Sequence, residues 1–428
     1  MSLKPAKVLL FASIPFWGAS VSAQNIDRPF ENNPYSRYGL GEEQNAINPS
    51  LRAMGGITAA YQDLYIINTD NPASYAKLKH MTYEAGGEGR TRTIQSANDK
   101  YKTGSASLSY LNIGIPMGKY AGMLIGFRPQ TRVGYSLYDT LQTLIGSSSL
   151  SYTGDGGTNN FFIGGAGTYK GFSLGANLGY MFGTIRQGSW LKTQSTTVMV
   201  DNSEFSRVTN IGGLYYKLGA MYESVVFKNY TLRLGVQADL KQNITSELNE
   251  YWISHPFYAE DTTGSDTAYA MKGVKEKITL PSSYSFGVNF SKTDKWAVGI
   301  NYKTTNWSQF SRPNIVDSIG KNAYKISIGG EYTPNSLSLY KYLQRVTYRA
   351  GFYYGKDYVS IKNVQANYYA VTFGLSLPFR RSTDRLHTGF EIGKMGEKTS
   401  GNLQQNFFRF SLGVSFNDKS WFVKRKYE

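Results

Sequence analysis

The segment Tyr284-Ser285-Phe286-Gly287-Val288-Asn289-Phe290 decides the fold class of this chain. Its aromatic and aliphatic side chains occupy every second position, and small or polar residues lie between them. Successive side chains of a β-strand point to opposite faces of a sheet, so the pattern predicts a strand with one apolar and one polar face. The same alternation recurs at 172–182, 232–240, 371–377 and 408–416.

The composition agrees with strands rather than helices as membrane-crossing elements. The chain has 428 residues, of which 15% are aromatic, and it contains 45 Gly and no Cys. Mean hydropathy is −0.37, and after residue 23 no apolar run approaches the roughly 20 residues of a membrane-spanning helix. Such a chain can cross a membrane when only every second residue faces lipid. We therefore predict an all-β fold, a transmembrane antiparallel β-barrel; a soluble β-sandwich or β-helix is the alternative.

Residues 1–23 have the pattern of a secretory signal peptide. Lys4 and Lys7 precede an apolar run, and Val21-Ser22-Ala23 provides small residues for cleavage. A buried or membrane-spanning helix is the alternative for this segment. An exported barrel is expected in the bacterial outer membrane. Nucleic acid is not an expected partner there.

Fourteen strands are expected between residues 80 and 416. They are predicted at 81–89, 104–115, 120–135, 158–168, 172–183, 209–224, 230–242, 278–292, 295–305, 322–333, 344–356, 366–378, 386–395 and 406–416. Most even-numbered strands end in short turns. Long polar loops are predicted at 90–103, 136–157, 184–208, 243–277 and 306–321. Short periplasmic turns alternating with long outer loops are typical of outer-membrane barrels.

The two ends of the mature chain differ from the barrel. Residues 24–79 are rich in Asn, Pro and Gly, and they contain no long alternating run. Leu51, Met54 and Ile57 are too apolar for a solvated linker, so we predict a plug inside the barrel. A flexible periplasmic tail is the alternative. Residues 417–428 are expected to form a basic periplasmic tail.

Three stretches resemble the FadL-type family of outer-membrane transporters of hydrophobic compounds. Arg52-Ala53-Met54-Gly55-Gly56 and Asn71-Pro72-Ala73-Ser74-Tyr75 are similar to the hatch that precedes the first strand in that family. Residues 280–288 resemble its strand-opening motif. Trp296-Ala297-Val298, together with Asn306-Trp307-Ser308, resembles the hairpin that follows.

The resemblance implies a plugged 14-stranded barrel and passive passage of a small hydrophobic, fatty-acid-like compound. The plug or gate residues that it implies are Arg52, Gly55, Gly56, Asn71, Pro72 and Ala73. Some FadL-like barrels serve other proteins, such as the one associated with the type IX secretion translocon. A non-transporting scaffold or accessory subunit of an outer-membrane secretion or assembly complex is therefore the alternative. Residues 33–39 resemble family members from Bacteroidota.

The third predicted strand contains Pro129, shortly after Gly126. Proline cannot donate to a sheet ladder, and a closed barrel has no free edge to accommodate it. Pro129 is therefore expected at a bulge, at the end of the strand or at a gap in the wall. The resemblance implies a lateral exit here, because FadL-type substrates are thought to leave sideways through a kink in the third strand. A strand that simply ends at Arg128 is the alternative.

The positive net charge of +16 indicates a further set of candidate functional residues. Alternation places four cationic side chains in the lumen, which are Lys217, Arg233, Arg349 and Arg409. They either form a cationic path for an anionic compound or pair with Asp239, Glu331 and Glu391. The excess of positive charge also predicts contact with outer-membrane lipid and lipopolysaccharide.

The predicted outer loop 243–277 contains Trp252, Phe257 and Tyr258. So many aromatic residues favour a lid or a docking surface, and packing within the loop is the alternative. The three His residues of the chain lie in separate segments, and no nucleophile motif accompanies them. Neither a metal, nor a cofactor, nor a catalytic centre is expected.

Overall fold

The computed structural model describes residues 31–418, with the exception of 97–98, 144–145, 195–198, 228, 258–263, 314–317, 321, 362–363, 381 and 399–402. The predicted signal peptide, Tyr258 and residues 419–428 of the predicted tail lie outside the described residues. Those assignments stay predictions.

The described chain forms one antiparallel sheet of 17 strands. The strands are β1 (Glu42–Glu43), β2 (Met81–Gln95), β3 (Lys100–Met117), β4 (Ala121–Thr143), β5 (Gly146–Tyr169), β6 (Phe172–Gln194), β7 (Asn202–Phe227), β8 (Tyr230–Asp239), β9 (Gln242–His255), β10 (Asp266–Leu280), β11 (Ser283–Lys292), β12 (Trp296–Thr305), β13 (Ala323–Tyr332), β14 (Thr347–Ile361), β15 (Val364–Pro378), β16 (Arg385–Met395) and β17 (Gln404–Asp418).

Helical elements are short. They are α1 (Pro49–Arg52), α2 (Tyr342–Arg345) and three 3-10 helices at Pro34–Arg37, Pro72–Lys77 and Trp307–Gln309. Within the described part of the chain, no helix has both the length and the apolar character needed to cross a membrane.

The sheet closes into a barrel because β17 pairs with β2. β8 continues into β9, and β10 continues into β11. Because β9 pairs with β10 and β8 pairs with β11, each of these two couples forms one long wall strand. β1 belongs to the segment that precedes the barrel. The wall therefore has 14 strands, and the predicted closed antiparallel barrel is confirmed.

Side chains alternate across this wall as the sequence predicts. In β11, Ser283, Ser285 and Asn289 are buried on the enclosed side, whereas Phe286 and Val288 are exposed on the other. Exposed apolar side chains continue around the outside of the barrel. An apolar outer face and a polar inner face are what a barrel surrounded by lipid requires.

The predicted outer loops are wrong over much of their length, because the strands continue through them. β6 extends to Gln194, and β9 and β10 form a hairpin across most of 242–280. Both faces of such extensions can meet water, so they lack the clean alternation by which the wall strands were found. Trp252 accordingly lies on β9, and Phe257 follows the end of that strand.

Residues 31–79, here called the N-terminal segment, pack on the enclosed face of the wall. The Ala59 amide donates to the Asn301 side chain at 2.9 Å, and the Gly55 amide donates to Thr372 at the same distance. The wall carries glycine where the backbones meet most closely. A Cβ added at Gly235 would overlap the Ala59 carbonyl.

Candidate functional site

The buried guanidinium of Arg52, at the end of α1, connects the N-terminal segment to the wall. It lies 2.8 Å from a carboxylate oxygen of Glu88 and 3.8 Å from one of Glu391. Arg409 pairs with the same Glu391 at 2.9 Å. Breaking such a buried network by removing one partner leaves an uncompensated charge, so the network fixes where α1 sits.

The other predicted gate residues hold the same segment at two different places. Gly55 and Gly56 have φ values of 74° and 82°, which the turn after α1 requires and which glycine adopts without strain. Asn71 lies elsewhere, where its side chain accepts from the Ala73 amide at 3.1 Å and caps the 3-10 helix that Pro72 begins. The six residues thus form two groups, one against β13–β17 and one against β3–β7.

Sequence reasoning missed Glu84, which joins two parts of the N-terminal segment to the wall. One carboxylate oxygen accepts from the Asn48 side chain at 3.2 Å, from the Ile67 amide at 3.0 Å and from Ser415 at 2.7 Å. The alternation of β2 could have placed Glu84 in the lumen. Its partners could not have been predicted, because they come from distant parts of the chain.

The wall is split between β3 and β4. Their pairing covers only Leu111–Met117 against Ala121–Phe127, although β4 continues to Thr143 along β5. Pro129 lies just beyond the last pair, and the register on the β5 side shifts between Pro129 and Thr131. Pro129 therefore occupies both a bulge and the edge of a gap. Gly126 lies shortly before Pro129 in β4. A Cβ added at Gly126 would collide with the Phe162 ring.

The bulge changes which side chains of β4 face inward. Leu124 and Arg128 are buried at even positions before it, whereas Val133 and Tyr135 are buried at odd positions after it. One extra residue in a strand reverses the side-chain phase beyond that point. The inward-facing set of the upper half of β4 is thus different from the one that simple alternation predicts.

The strap, defined as residues 31–46, lies along the β4 edge that β3 leaves free. As β1, Glu42 and Glu43 pair with Arg132 and Thr131. The Gln44 amide donates to the Gln130 carbonyl at 2.9 Å, and the Asn33 amide donates to the Gly134 carbonyl at 2.7 Å. An unpaired backbone group within a membrane costs several kcal/mol, so these bonds stabilise the split wall.

Ion pairs connect the strap to β2, on the far side of β3 from β4. Glu31 lies 2.6 Å from the Arg92 guanidinium, and Glu42 lies 2.9 Å from that of Arg90. Both arginines are buried, with side chains only 2–3% exposed. The strap therefore bridges the wall across the split.

A cavity of about 330 Å³ lies inside the barrel beside the strap. Strap residues Leu40–Ala46 form one side of it. Its aromatic lining consists of Tyr215, Trp307, Phe310, Tyr324, Tyr353, Tyr358, Tyr368 and Phe407. The cavity combines these rings with charged side chains from the wall, so it suits a compound that has both an apolar body and a charged group.

Lys303 and Lys325 are the distinctive charges of this cavity. They are directly opposite each other on β12 and β13, and both line the cavity. Among the described residues, no carboxylate lies within ion-pairing distance of either amine. The Lys325 amine lies 3.9 Å above the Tyr353 ring. Like charges directly opposite each other are destabilising, so an anion between them would relieve the repulsion.

The four predicted lumen cations have a different environment, because each forms an ion pair. Lys217 lies 3.5 Å from both Asp70 and Asp239. The other pairs are Arg233 with Glu223, Arg349 with Glu331, and Arg409 with Glu391. Alternation along β12 and β13 could also have identified Lys303 and Lys325.

Above the barrel mouth, three aromatic residues form a row across neighbouring strands. Trp252 of β9 lies opposite Phe205 of β7 on one side and opposite Tyr269 of β10 on the other. The Trp252 and Tyr269 side chains are about half exposed, at 54% and 50%. Phe257 is exposed beyond the end of β9. The row presents an apolar surface to solvent at this end of the strands.

The described residues contain no group of three or more His, Asp or Glu side chains that is arranged to hold a metal ion.

The family model named BamG matches residues 6–428. The chain belongs to the BamG family. No protein with a curated description matches this BamG-family chain.

Several solved structures share the fold of this BamG-family chain. The toluene transporter TodX of Pseudomonas putida is 17% identical with a TM-score of 0.55, over 88% of this chain and 98% of TodX. A FadL homologue of Pseudomonas aeruginosa is 12% identical with a TM-score of 0.57, over 87% of this chain and 98% of the homologue. The toluene transporter TbuX of Ralstonia pickettii is 14% identical with a TM-score of 0.54, over 87% and 98% of the two chains. The predicted FadL-like fold is therefore confirmed.

Proposed function

We propose that this chain carries small amphipathic compounds, with an apolar body and an acidic head, across the outer membrane. The observation that carries the proposal is the cavity beside the strap, which aromatic residues line together with Lys303 and Lys325. Among the described residues, neither lysine has a carboxylate within ion-pairing distance. TodX and TbuX are toluene transporters, which supports a hydrophobic cargo for this chain. A fatty-acid-like anion has the chemistry that this cavity complements.

The route that we propose has three stages. A compound is first adsorbed on the aromatic row at Phe205, Trp252 and Tyr269, where apolar contact stabilises it by roughly 25 cal/mol per Å² buried. It then enters the cavity, where the two lysines bind its acidic head. It leaves sideways between β3 and β4 when the strap detaches from the β4 edge.

A reversible cross-link between strap and wall tests this route. Glu43 and Thr131 are directly opposite each other, and the chain has no natural Cys. In the E43C/T131C variant, oxidation should abolish uptake of a fluorescent fatty acid into cells, and a reducing agent should restore it. The control is K356C/N367C, a directly opposite pair on β14 and β15, away from the split. Unchanged uptake through the oxidised strap variant would exclude the lateral route.

A second candidate function is that of a non-transporting accessory subunit of an outer-membrane secretion or assembly complex, including a type IX-like one. The buried ion pairs of Arg52 with Glu88 and Glu391 support it, because they hold the N-terminal segment across the lumen. A mild-detergent pull-down followed by mass spectrometry of proteins and lipids separates the two functions. A stoichiometric protein partner, with no fatty acid uptake above that of empty vesicles, would favour the accessory role.

The net charge of +16 supports a further proposal, that the outer surface contacts lipopolysaccharide. If the protein recovered in the same pull-down carries no lipopolysaccharide, the proposal of this contact is wrong.

A further inference from the structure

The connection between β13 and β14, here called the foot and comprising residues 334–345, has an unusual surface. In the proposed orientation it lies at the periplasmic end of the barrel. The foot is long for a connection at that end, since the β5–β6 connection there has only two residues. Leu337, Leu339 and Tyr340 are 84–96% exposed, and Leu343 is 69% exposed. Several large apolar side chains this exposed within one short loop mark a surface that binds something apolar.

The foot is folded by its own hydrogen bonds. The Asn335 amide donates to the Gln344 carbonyl at 2.8 Å and closes the loop. The Asn335 side chain accepts from the Leu337 amide at 3.1 Å, and the Ser338 hydroxyl accepts from the Lys341 amide at 3.2 Å. Several polar groups are thus satisfied within the loop while its leucines and Tyr340 point away from it.

One contact places the end of the foot on the outer side of the wall. Tyr348 of β14 is exposed, whereas Thr347 and Arg349, its neighbours in sequence, are buried on the lumen side. The Tyr348 hydroxyl donates to the Leu343 carbonyl at 3.1 Å. Leu343 therefore lies next to the lipid-facing surface rather than below the lumen.

The surroundings of the foot match the boundary of a lipid bilayer. Tyr332 and Tyr348 are exposed at the adjoining ends of β13 and β14, in the position of the aromatic girdle of a membrane barrel. The foot also contains Lys341, which is exposed, and Arg345, whose guanidinium lies 5.3 Å from the Tyr342 ring centroid. Apolar and aromatic side chains combined with Lys and Arg are typical of segments that lie in the membrane interface.

We propose that the foot inserts Leu337, Leu339, Tyr340 and Leu343 into the periplasmic leaflet, while Lys341 and Arg345 contact anionic phospholipid head groups. The continuity of the foot with the lipid-facing tyrosines favours lipid over a protein as the occupant of this surface. The proposal does not depend on transport, because the foot lies away from the cavity and from the strap.

Depth-dependent fluorescence quenching tests the insertion, because a chain without Cys accepts a single label. L339C labelled with bimane is reconstituted in nanodiscs of phosphatidylcholine and phosphatidylglycerol that contain brominated acyl chains. V298C on the exposed face of β12 is the lipid-facing control, and T293C in the β11–β12 turn is the aqueous control. Heat-modifiable gel mobility shows that each variant is folded.

We expect brominated lipid to quench L339C to an extent similar to V298C, whereas water-soluble iodide should quench mainly T293C. Nanodiscs without phosphatidylglycerol should reduce the lipid quenching of L339C if the head-group contacts contribute. If L339C instead matches T293C with both quenchers, the foot lies in the periplasm. The lipid proposal would then be wrong, and a protein partner would be the remaining occupant.

Discussion

Arg128 of β4 donates to Asp70 of the N-terminal segment at 3.0 Å. Arg128 is the last lumen-facing residue before the Pro129 bulge, and Phe127 makes the last pair with β3. The ion pair thus fastens the N-terminal segment to the wall at the lower end of the split. We expect the strap to detach above this point while Asp70 keeps the rest of the segment in place.

Replacing Asp70 with Asn should destabilise the barrel, because Arg128 and Lys217 would lose a buried carboxylate partner. Removal of one member of a buried pair costs about 3–5 kcal/mol. The free energy of unfolding in urea, followed by heat-modifiable mobility, measures the loss. D155N is the control, because Asp155 pairs with Arg186 where both side chains are about 60% exposed. A surface pair of that kind contributes about 0–1 kcal/mol. Equal losses in the two variants would contradict the role of Asp70.

The same pair predicts a dependence of stability on pH. Burial raises the pKa of the Asp70 carboxyl, but Lys217 and Arg128 outweigh burial and lower that pKa below its ordinary value. The stabilisation by Asp70 is therefore fully present above the ordinary carboxyl pKa of about 3.9 and is lost as the pH falls below it. Unfolding measured as a function of pH should show this loss in the wild-type protein, and D70N should lack that component.

Replacing Lys303 and Lys325 with Gln should weaken binding of an acidic ligand but not of a neutral one. A hydrogen bond to a charged group contributes about 1.5–3 kcal/mol, so the Kd of a fluorescent fatty acid should rise about tenfold or more. The Kd of the corresponding uncharged hydrocarbon should stay the same. K295Q, in the exposed β11–β12 turn, is the matched control. If the double variant binds the fatty acid with an unchanged Kd, the two lysines do not take part in binding it.

Replacing Gly235 with Val should displace the N-terminal segment from the wall. Even a Cβ at this position would overlap the Ala59 carbonyl, so the larger side chain has no room. We expect ion conductance in planar bilayers to rise, together with the sensitivity of cells to large antibiotics. G165V is the control, because an added Cβ at Gly165 meets no atom within 4 Å. If G235V folds and its conductance equals that of the control, the segment does not close the lumen.

Replacing Trp252 with Ser should reduce the uptake of hydrophobic compounds and leave barrel stability unchanged. Trp252 is at the centre of the aromatic row, and 54% of its side chain is exposed. F257S should show a smaller effect, because Phe257 follows the end of β9 outside the row. Y138S controls for the loss of an exposed aromatic side chain elsewhere, since Tyr138 is 74% exposed on β4. Equal uptake by W252S and Y138S would show that the row is only structural.

The barrel and much of the polarity of its lumen could be predicted from the sequence. Alternation is a local property, since lipid on one side and the lumen on the other act on each residue of a wall strand separately. Phe286 and Val288 were therefore assigned correctly to the outer face, and the same reasoning would have assigned Lys303 to the lumen. The outer extensions were missed, because water on both faces imposes no alternation.

Only the tertiary structure decided how the wall is split and what fills the split. The bulge at Pro129 reverses the inward-facing positions, so the Tyr135 side chain is buried on the lumen side. The pairing of Glu42 with Arg132 joins residues that lie far apart in sequence. β3 and the strap both have backbone groups that could pair with the same edge of β4. Which of them does so depends on the summed energy of many distant contacts, including those of Arg90 and Arg92, and no local pattern in the sequence contains that information.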